Sequence, residues 1–156
     1  MSEENIELVR RGLESADAFW AMLDEYVVWD LRDMPSLDLD GVHFGRDAVI
    51  KASRHYWGTW DDYRVDAQEL LDAGPSVVVI LRESGRGKGS GAPFEREHPQ
   101  LWTFRGDRII RWESFPTKAE ALEAARAVGV GGNRVVTEAT GLNRSRLAAV
   151  APESSV

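Results

Sequence analysis

One acidic residue stands inside the most apolar stretch of the N-terminal part of the chain. In YVVWDLRD, residues 26–33, an apolar run favours a buried strand, and Asp30 places a carboxylate in the same run. An unpaired charge is costly in an apolar interior, so such a carboxylate either has a raised pKa or finds a partner. Asp30 is therefore either a candidate general acid or base in a pocket, or a structural aspartate at a strand end.

Two further polar residues lie on one face of a later strand, FEREHPQLWTF. Side chains two residues apart share a face, which groups His98 and Gln100 with Trp102. This mixture of polar and aromatic side chains predicts an inward face at the polar end of a pocket. Histidine suits proton transfer near neutral pH, so His98 is either a second catalytic candidate or a pocket histidine without a catalytic part. A bulge at Pro99 could shift this face by one residue and move His98 out of the pocket.

Aromatic side chains are the candidate walls of that pocket. All six tryptophans precede residue 113 and no aromatic residue follows Phe115, so the core must come from roughly the first three quarters of the chain. Small-molecule sites are lined mostly by apolar and aromatic groups. The candidate substrate-binding residues are Gln100, Trp20, Tyr56, Trp57, Trp102 and Trp112.

Composition excludes several other chemistries. The 156 residues include no cysteine, which excludes disulfides, thiolate zinc sites and cysteine nucleophiles. The three histidines lack the spacing of a metal site and GRGKGSG lacks the P-loop spacing, so we expect neither a metal nor a cofactor. A formal net charge of −7 argues against nucleic acid as a partner. No apolar run approaches the about 20 residues of a membrane span, and the acidic start MSEENIELVRR is unlike a signal peptide, so we expect a cytoplasmic protein.

The elements that must position these residues form an α+β pattern. Helical periodicity covers residues 3–24, with a break near 15–17, then residues 47–60 and residues 118–128. Strands are predicted at 26–31, 63–71, 76–84, 94–104 and 108–115. The glycines of GRGKGSGAP predict a mobile hairpin loop rather than a strand. Short turns make consecutive strands antiparallel, which predicts a curved sheet with helices on one face.

The last 28 residues differ in character from the rest. Residues 129–156 are rich in Gly, Ser and Ala and contain no aromatic residue. We expect a single domain over residues 1–128 and a peripheral C-terminal tail, with a weak helix near residues 145–150. The tail could instead fold onto a partner subunit.

Five stretches occur in a characteristic order and spacing over residues 3–128: ENIELVRRGLES, VVWD, GRDAV, SVVVILRESGRGKGSG, and LWTFRGDRIIRWESF followed by AEALEAA. In this order and spacing the chain resembles the SnoaL-like branch of the NTF2-like superfamily, which also holds the ketosteroid isomerases. The resemblance implies a cone-shaped barrel, in which a bent antiparallel sheet wraps around helices and leaves a deep pocket. It also implies a homodimer joined largely through the outer face of the sheet.

The resemblance places Asp30 at the position of the general base of the isomerases. Their two oxyanion donors fall near Val9 and on Gln100. Val9 cannot donate a proton, and Gln100 donates a hydrogen bond but is not an acid, so we predict no steroid isomerase activity. The resemblance also includes polyketide cyclases, which use one strand aspartate or histidine in an apolar cavity to move a single proton. This activity requires the fewest specific residues, and the sequence meets that requirement best.

Two functions follow as hypotheses. The first is a pocket enzyme that moves a proton during isomerisation, cyclisation or hydration of an apolar carbonyl compound. In it Asp30 is the acid or base, His98 assists and Gln100 orients the substrate. The alternative is a binding module that holds an apolar ligand without converting it.

Overall fold

The computed structural model of the chain describes residues 2–34, 41–128 and 135–136. The helices in this part are α1 (Ser2–Gly12), α2 (Ala16–Met22), α3 (Arg46–Gly58) and α4 (Lys118–Val128). The strands are β1 (Leu23–Asp30), β2 (Val42–Phe44), β3 (Trp60–Ala73), β4 (Ser76–Gly87), β5 (Pro93–Arg105), β6 (Arg108–Ser114) and β7 (Val135–Val136).

The first helical stretch breaks where the sequence predicts. Ser15 caps α2, and its hydroxyl accepts a hydrogen bond of 3.0 Å from the backbone N–H of Ala18. This contact satisfies a donor that the first turn of a helix leaves without a backbone partner. The predicted break near residues 15–17 is therefore confirmed.

The strands form one mixed, curved sheet in the order β2-β1-β6-β5-β4-β3-β7. The consecutive strands β3, β4, β5 and β6 pair antiparallel with one another, as expected from the short turns. β1 runs parallel to β6, so the expectation of a wholly antiparallel sheet is wrong for this pair. Parallel strands need a long crossover, here the whole segment from β2 to β5, and reasoning from hairpin turns could not reveal that pairing.

The expected glycine-rich loop, residues 85–93, is shorter than predicted because both of its ends belong to strands. β4 continues to Gly87 and β5 starts at Pro93, which leaves only residues 88–92 for the turn. A Cβ at Gly85 would lie 3.1 Å from the Cβ of Trp60 and 3.4 Å from the ring of Phe94. Trp60 and Phe94 stack with their ring centroids 4.1 Å apart. Gly85 therefore belongs to a tightly packed strand, and its missing side chain makes room for that stack.

Both faces of the sheet are covered. α1, α2 and α3 pack on the inner face, which holds most of the buried hydrophobic side chains. α4 packs on the outer face, where Ala121 and Ala125 contact residues such as Leu101 and Phe115. The expectation that all helices lie on one face is therefore wrong for α4. Burial on both sides explains the unbroken apolar run of β4.

The segment after α4 adds one short strand to this sheet. β7 pairs antiparallel with β3 at Leu70 and Leu71. The predicted helix at residues 145–150 and the rest of the expected tail lie outside the described residues. Within residues 2–34 and 41–128, no helix combines the length and the apolar character needed to cross a membrane.

Candidate functional site

The inner face of the sheet and the three helices enclose a small hollow. Its volume is about 20 Å³, enough for about one water molecule. Most of its lining residues are aromatic: Phe19, Trp29, Tyr56, Trp57, Tyr63, Trp102 and Trp112. The space enclosed by the bent sheet is therefore nearly filled by the side chains of the protein itself.

The two polar residues predicted on β5 line this hollow. His98, Gln100 and Trp102 all face it, which confirms the two-residue spacing used to group them. Pro99 introduces no bulge, because the pairing of β5 with β4 continues without a shift through this residue. The Pro99 carbonyl accepts from the N–H of Phe115 at 2.9 Å, just beyond the end of β6. The N and O of a strand residue point to the same side, so the missing donor of Pro99 costs no bond to β4.

The remaining aromatic candidates divide into two groups. Tyr56, Trp57 and Trp112 line the hollow. Trp20 does not; it stacks on Trp57 with 5.8 Å between ring centroids, and its Nε1 donates to the hydroxyl of Ser53 at 3.0 Å. Trp20 therefore supports the wall from behind.

Asp30 is not brought together with His98 and Gln100. Its neighbour Trp29 lines the hollow, and Asp30 extends from the opposite face of β1. Arg32 donates to both carboxylate oxygens at 3.0 and 2.7 Å, and Arg111 donates to Oδ2 at 2.6 Å. The hydrogen bond from Arg32 is the main cause of the lowered pKa of Asp30. The structure thus corrects the expectation of a carboxylate aimed into the pocket, since this one is paired on the outer face.

Gln100 is held in a single orientation by two tryptophans. Its Oε1 accepts from Trp102 Nε1 at 2.8 Å and from Trp112 Nε1 at 3.0 Å. An indole N–H can only donate, so the amide oxygen must face the two rings and the amide nitrogen remains as a donor. Trp112 is in turn stacked on Trp29, with ring centroids 4.1 Å apart and an angle of 7° between the rings. The two hydrogen bonds therefore fix the polarity of this part of the wall.

A buried carboxylate that the sequence analysis missed lies behind the hollow. Glu83, on β4, is 1% exposed. Its Oε1 accepts from Tyr56 at 3.0 Å and from Arg96 Nε at 2.6 Å, and its Oε2 accepts from Tyr63 at 2.5 Å. Arg96 also donates from Nη2 to the Tyr56 hydroxyl at 2.8 Å. Glu83 shares a strand face with Val79 and Leu81, but the apolar run of β4 does not show which face is the inner one.

These contacts fix the charge of the cluster. Burial alone would raise the pKa of Glu83, but its contacts with His98 and Arg96 and the hydrogen bond from Tyr63 lower it to about 2. Burial, and then the charge of Glu83, raise the pKa of Tyr63 and of Tyr56 well above the usual value. Near neutral pH the cluster therefore holds an ionised carboxylate and two protonated phenols that donate to it.

His98 lies between this cluster and the hollow. Its Nδ1 is 3.1 Å from Glu83 Oε1. The carboxylate therefore lies beside the imidazole, but the two atoms are not aligned as a hydrogen bond. His98 Nε2 is buried and has no hydrogen-bond partner in the described part of the chain. The imidazole thus has one nitrogen beside a carboxylate and one nitrogen available to a ligand. Among residues 2–34 and 41–128, no group of three or more histidine or acidic side chains is placed to hold a metal ion.

Comparison with known proteins identifies the family. The family model described as a SnoaL-like domain matches residues 7–112, more than half of the 156 residues. The chain belongs to the SnoaL-like family. No curated protein matches this SnoaL-like chain.

Solved structures show the same fold at low sequence identity. An NTF2-like protein of unknown function from Burkholderia pseudomallei K96243 is 24% identical, with a TM-score of 0.64 over 76% of this chain and 95% of that one. A putative SnoaL-like polyketide cyclase from Jannaschia sp. CCS1 is 17% identical, with a TM-score of 0.62 over 82% and 94%. TerC, co-crystallised with polyporic acid, is 18% identical, with a TM-score of 0.62 over 78% and 98%. At these identities the likeness establishes the NTF2-like fold alone, so the chemistry of the SnoaL-like chain must be argued from its own residues.

Proposed function

We propose that this SnoaL-like protein binds an apolar carbonyl compound in the aromatic hollow and moves a proton on it, with His98 as the acid and base. The observation that carries the proposal is the buried imidazole of His98 in the wall of the hollow, with Nε2 unpartnered among the described residues. Histidine is the side chain best suited to accept and return a proton near neutral pH. The reaction class is isomerisation, cyclisation or hydration.

Gln100 would bind the oxygen of the substrate. His98 Nε2 takes a proton from the carbon beside the carbonyl. The electron pair of that C–H bond forms a C=C bond to the carbonyl carbon, and the π pair of the C=O bond moves onto the oxygen. The amide N–H of Gln100, which the two indoles leave as a donor, bonds to that oxygen as its charge develops. His98 then returns the proton to another atom of the substrate. The surrounding aromatic rings exclude water, which strengthens these interactions.

The ligand must displace part of the wall. Small-molecule sites usually enclose about 300–1,000 Å³, whereas this hollow measures about 20 Å³. Binding therefore requires side-chain movement in the aromatic wall. A small organic ligand is supported by two proteins of similar fold, TerC, which was co-crystallised with polyporic acid, and the putative polyketide cyclase of Jannaschia.

A binding module is the second candidate, and the position of Asp30 favours it. The carboxylate expected to serve as the base is paired with arginines on the outer face. The Tyr56 and Tyr63 hydroxyls are engaged by Glu83. Among the described residues that line the hollow, this leaves His98 alone to carry proton transfer near neutral pH. A protein that only held its ligand would need none of these groups to react.

Deuterium exchange tests the proposal and does not require the product to be identified. Native mass spectrometry of the purified protein first identifies any retained ligand. Proton NMR in D₂O then follows exchange at the carbon beside the carbonyl in that ligand and in a panel of cyclic ketones. We expect the wild-type protein to accelerate exchange and His98→Gln to lose at least about 100-fold of that rate.

The matched control is His55→Gln, which changes an exposed histidine on α3 and should leave the rate unchanged. Wild-type exchange in folded His98→Gln would refute the role of His98. Tight binding of a ligand whose exchange the wild-type protein does not accelerate would favour the binding module instead.

A further inference from the structure

We infer that Glu83 is a positioning residue, which orients the His98 ring and fixes its proton on Nδ1 so that Nε2 serves as the base. This inference rests on the proposed function. It assigns a role to a buried carboxylate that lies outside the wall of the hollow and does not touch a ligand bound there.

The position of the Glu83 carboxylate beside the ring favours one of the two ring nitrogens as the carrier of the proton. Glu83 Oε1 is 3.1 Å from His98 Nδ1. A carboxylate only accepts, so the nitrogen that faces it is favoured in its N–H form, and Nε2 keeps the lone pair. The negative charge of Glu83 also stabilises the imidazolium that forms when Nε2 takes a proton from the substrate. A carboxylate behind a catalytic histidine has these two effects in general.

The pairing of β4 with β5 brings the side chains of Glu83 and His98 within contact distance. His98 stands directly opposite Leu81 in the pairing of β4 and β5, and Glu83 stands opposite Arg96. Glu83 is therefore a diagonal neighbour of His98 on the same face, a separation that a long side chain can span. Both side chains are at most 3% exposed, so little solvent screens the contact.

The carboxylate is itself held from three directions. Tyr56 approaches from α3, Tyr63 from β3 and Arg96 from β5, and each donates to it. Arg96 is 25% exposed at its side chain and compensates the charge of Glu83. With donors on both oxygens, rotation of the carboxylate would break at least one charge-assisted hydrogen bond. Its orientation is thus transmitted to the imidazole.

Stability alone is a weak reason to keep this group. Burying an ion carries a desolvation cost that pairing only offsets, and apolar residues of similar size often replace such clusters without loss. A buried carboxylate directly behind an imidazole with a free Nε2 has a use in orienting that ring. The geometry therefore points to a functional role for Glu83.

The test compares Glu83→Gln, which keeps the size and removes the charge, with Glu83→Asp, which keeps the charge. Nitrogen-15 NMR of histidine-labelled protein reports which ring nitrogen carries the proton, and deuterium exchange gives kcat and KM. We expect Glu83→Gln to decrease the share of His98 protonated on Nδ1 and to lower kcat at least about tenfold, with KM little changed. Glu83→Asp should recover part of both. Glu69→Gln, which removes a carboxylate paired with Lys118 at 2.6 Å, is the matched control and should change neither.

Folded Glu83→Gln with the wild-type tautomer and kcat would overturn the inference. If Glu83→Gln does not fold, Tyr63→Phe replaces it, because this change removes one hydrogen bond to Glu83 and keeps the charge. A severalfold lower kcat at unchanged KM then supports the inference, and a wild-type kcat refutes it.

Failure of this inference is separable from failure of the proposed function. If His98→Gln abolishes exchange and Glu83→Gln does not lower it, only the role of Glu83 is wrong. If the wild-type protein catalyses no exchange, the proposed function is wrong, and the tautomer measurement alone still decides whether Glu83 positions the ring.

Discussion

Two carboxylates with lowered pKa values lie on opposite faces of the same sheet, and their surroundings differ. Glu83 on the inner face contacts two phenols, an arginine and an imidazole. Asp30 on the outer face is paired with Arg32 and Arg111, whose side chains are 66% and 36% exposed. Burial and arginine pairing are thus common to both sites. What distinguishes the inner site is a proton carrier with a free nitrogen beside an apolar hollow.

The same difference predicts how much stability the fold loses when each carboxylate is removed. Solvent screens the exposed guanidinium groups around Asp30, so these ion pairs are weak individually. Around Glu83 the partners are mostly buried, and loss of the carboxylate would leave their donors without an acceptor.

The largest effect is expected from Glu83→Ala. This change leaves the guanidinium of Arg96 and the hydroxyls of Tyr56 and Tyr63 without their acceptor. We expect the free energy of unfolding to fall by about 3–5 kcal/mol, measured by urea denaturation near neutral pH. The control Glu69→Ala removes a half-buried surface pair and should cost about 1 kcal/mol or less. A loss below about 1 kcal/mol for Glu83→Ala would mean that the inner cluster rearranges as freely as the outer one.

A smaller effect is expected from Asp30→Asn. The amide cannot accept from both arginines as a carboxylate does, so charge-assisted hydrogen bonds to Arg32 and Arg111 are weakened. We expect the free energy of unfolding to fall by about 1–3 kcal/mol by the same measurement. A loss of proton exchange without any loss of stability would instead return Asp30 to the catalytic role that its place in the first strand suggests.

The inward face of β5 could be predicted because its polar and aromatic residues recur at every second position. His98, Gln100 and Trp102 line the hollow as that period predicts. No such signal existed around Asp30, since Val27, Val28 and Trp29 are all apolar and give no indication of which face is buried. One of its two arginines is 81 residues away and reaches it only through the parallel pairing of β1 with β6.

Glu83 escaped prediction for a related reason. β4 is apolar on both faces because helices cover both, so the run SVVVIL reads as continuous rather than alternating. The role of Glu83 depends on Tyr56, Tyr63, Arg96 and His98, which come from three other elements. Local patterns cannot reveal a cluster that tertiary packing assembles. The filling of the hollow by tryptophans likewise depends on how the rings pack.

The smallest effect is expected from Glu113→Gln, which tests the outer face by pH. Glu113 Oε1 is buried without a hydrogen-bond partner in the described part of the chain, and Arg111 Nε lies 3.3 Å from Oε2. Burial raises the pKa of Glu113, so the folded state binds this proton more tightly than the unfolded state does. The stability that this proton contributes is fully present below the unfolded pKa of about 4.3 and is lost as the pH rises through the folded pKa.

Glutamine keeps the size of the side chain and cannot ionise. The difference in unfolding free energy, variant minus wild type, should therefore increase from about pH 4 to about pH 7, by less than about 1 kcal/mol. A difference that decreases over this range would mean that the ionised carboxylate of Glu113 is stabilised by Arg111 and that the outer cluster, like the inner one, favours its charged form.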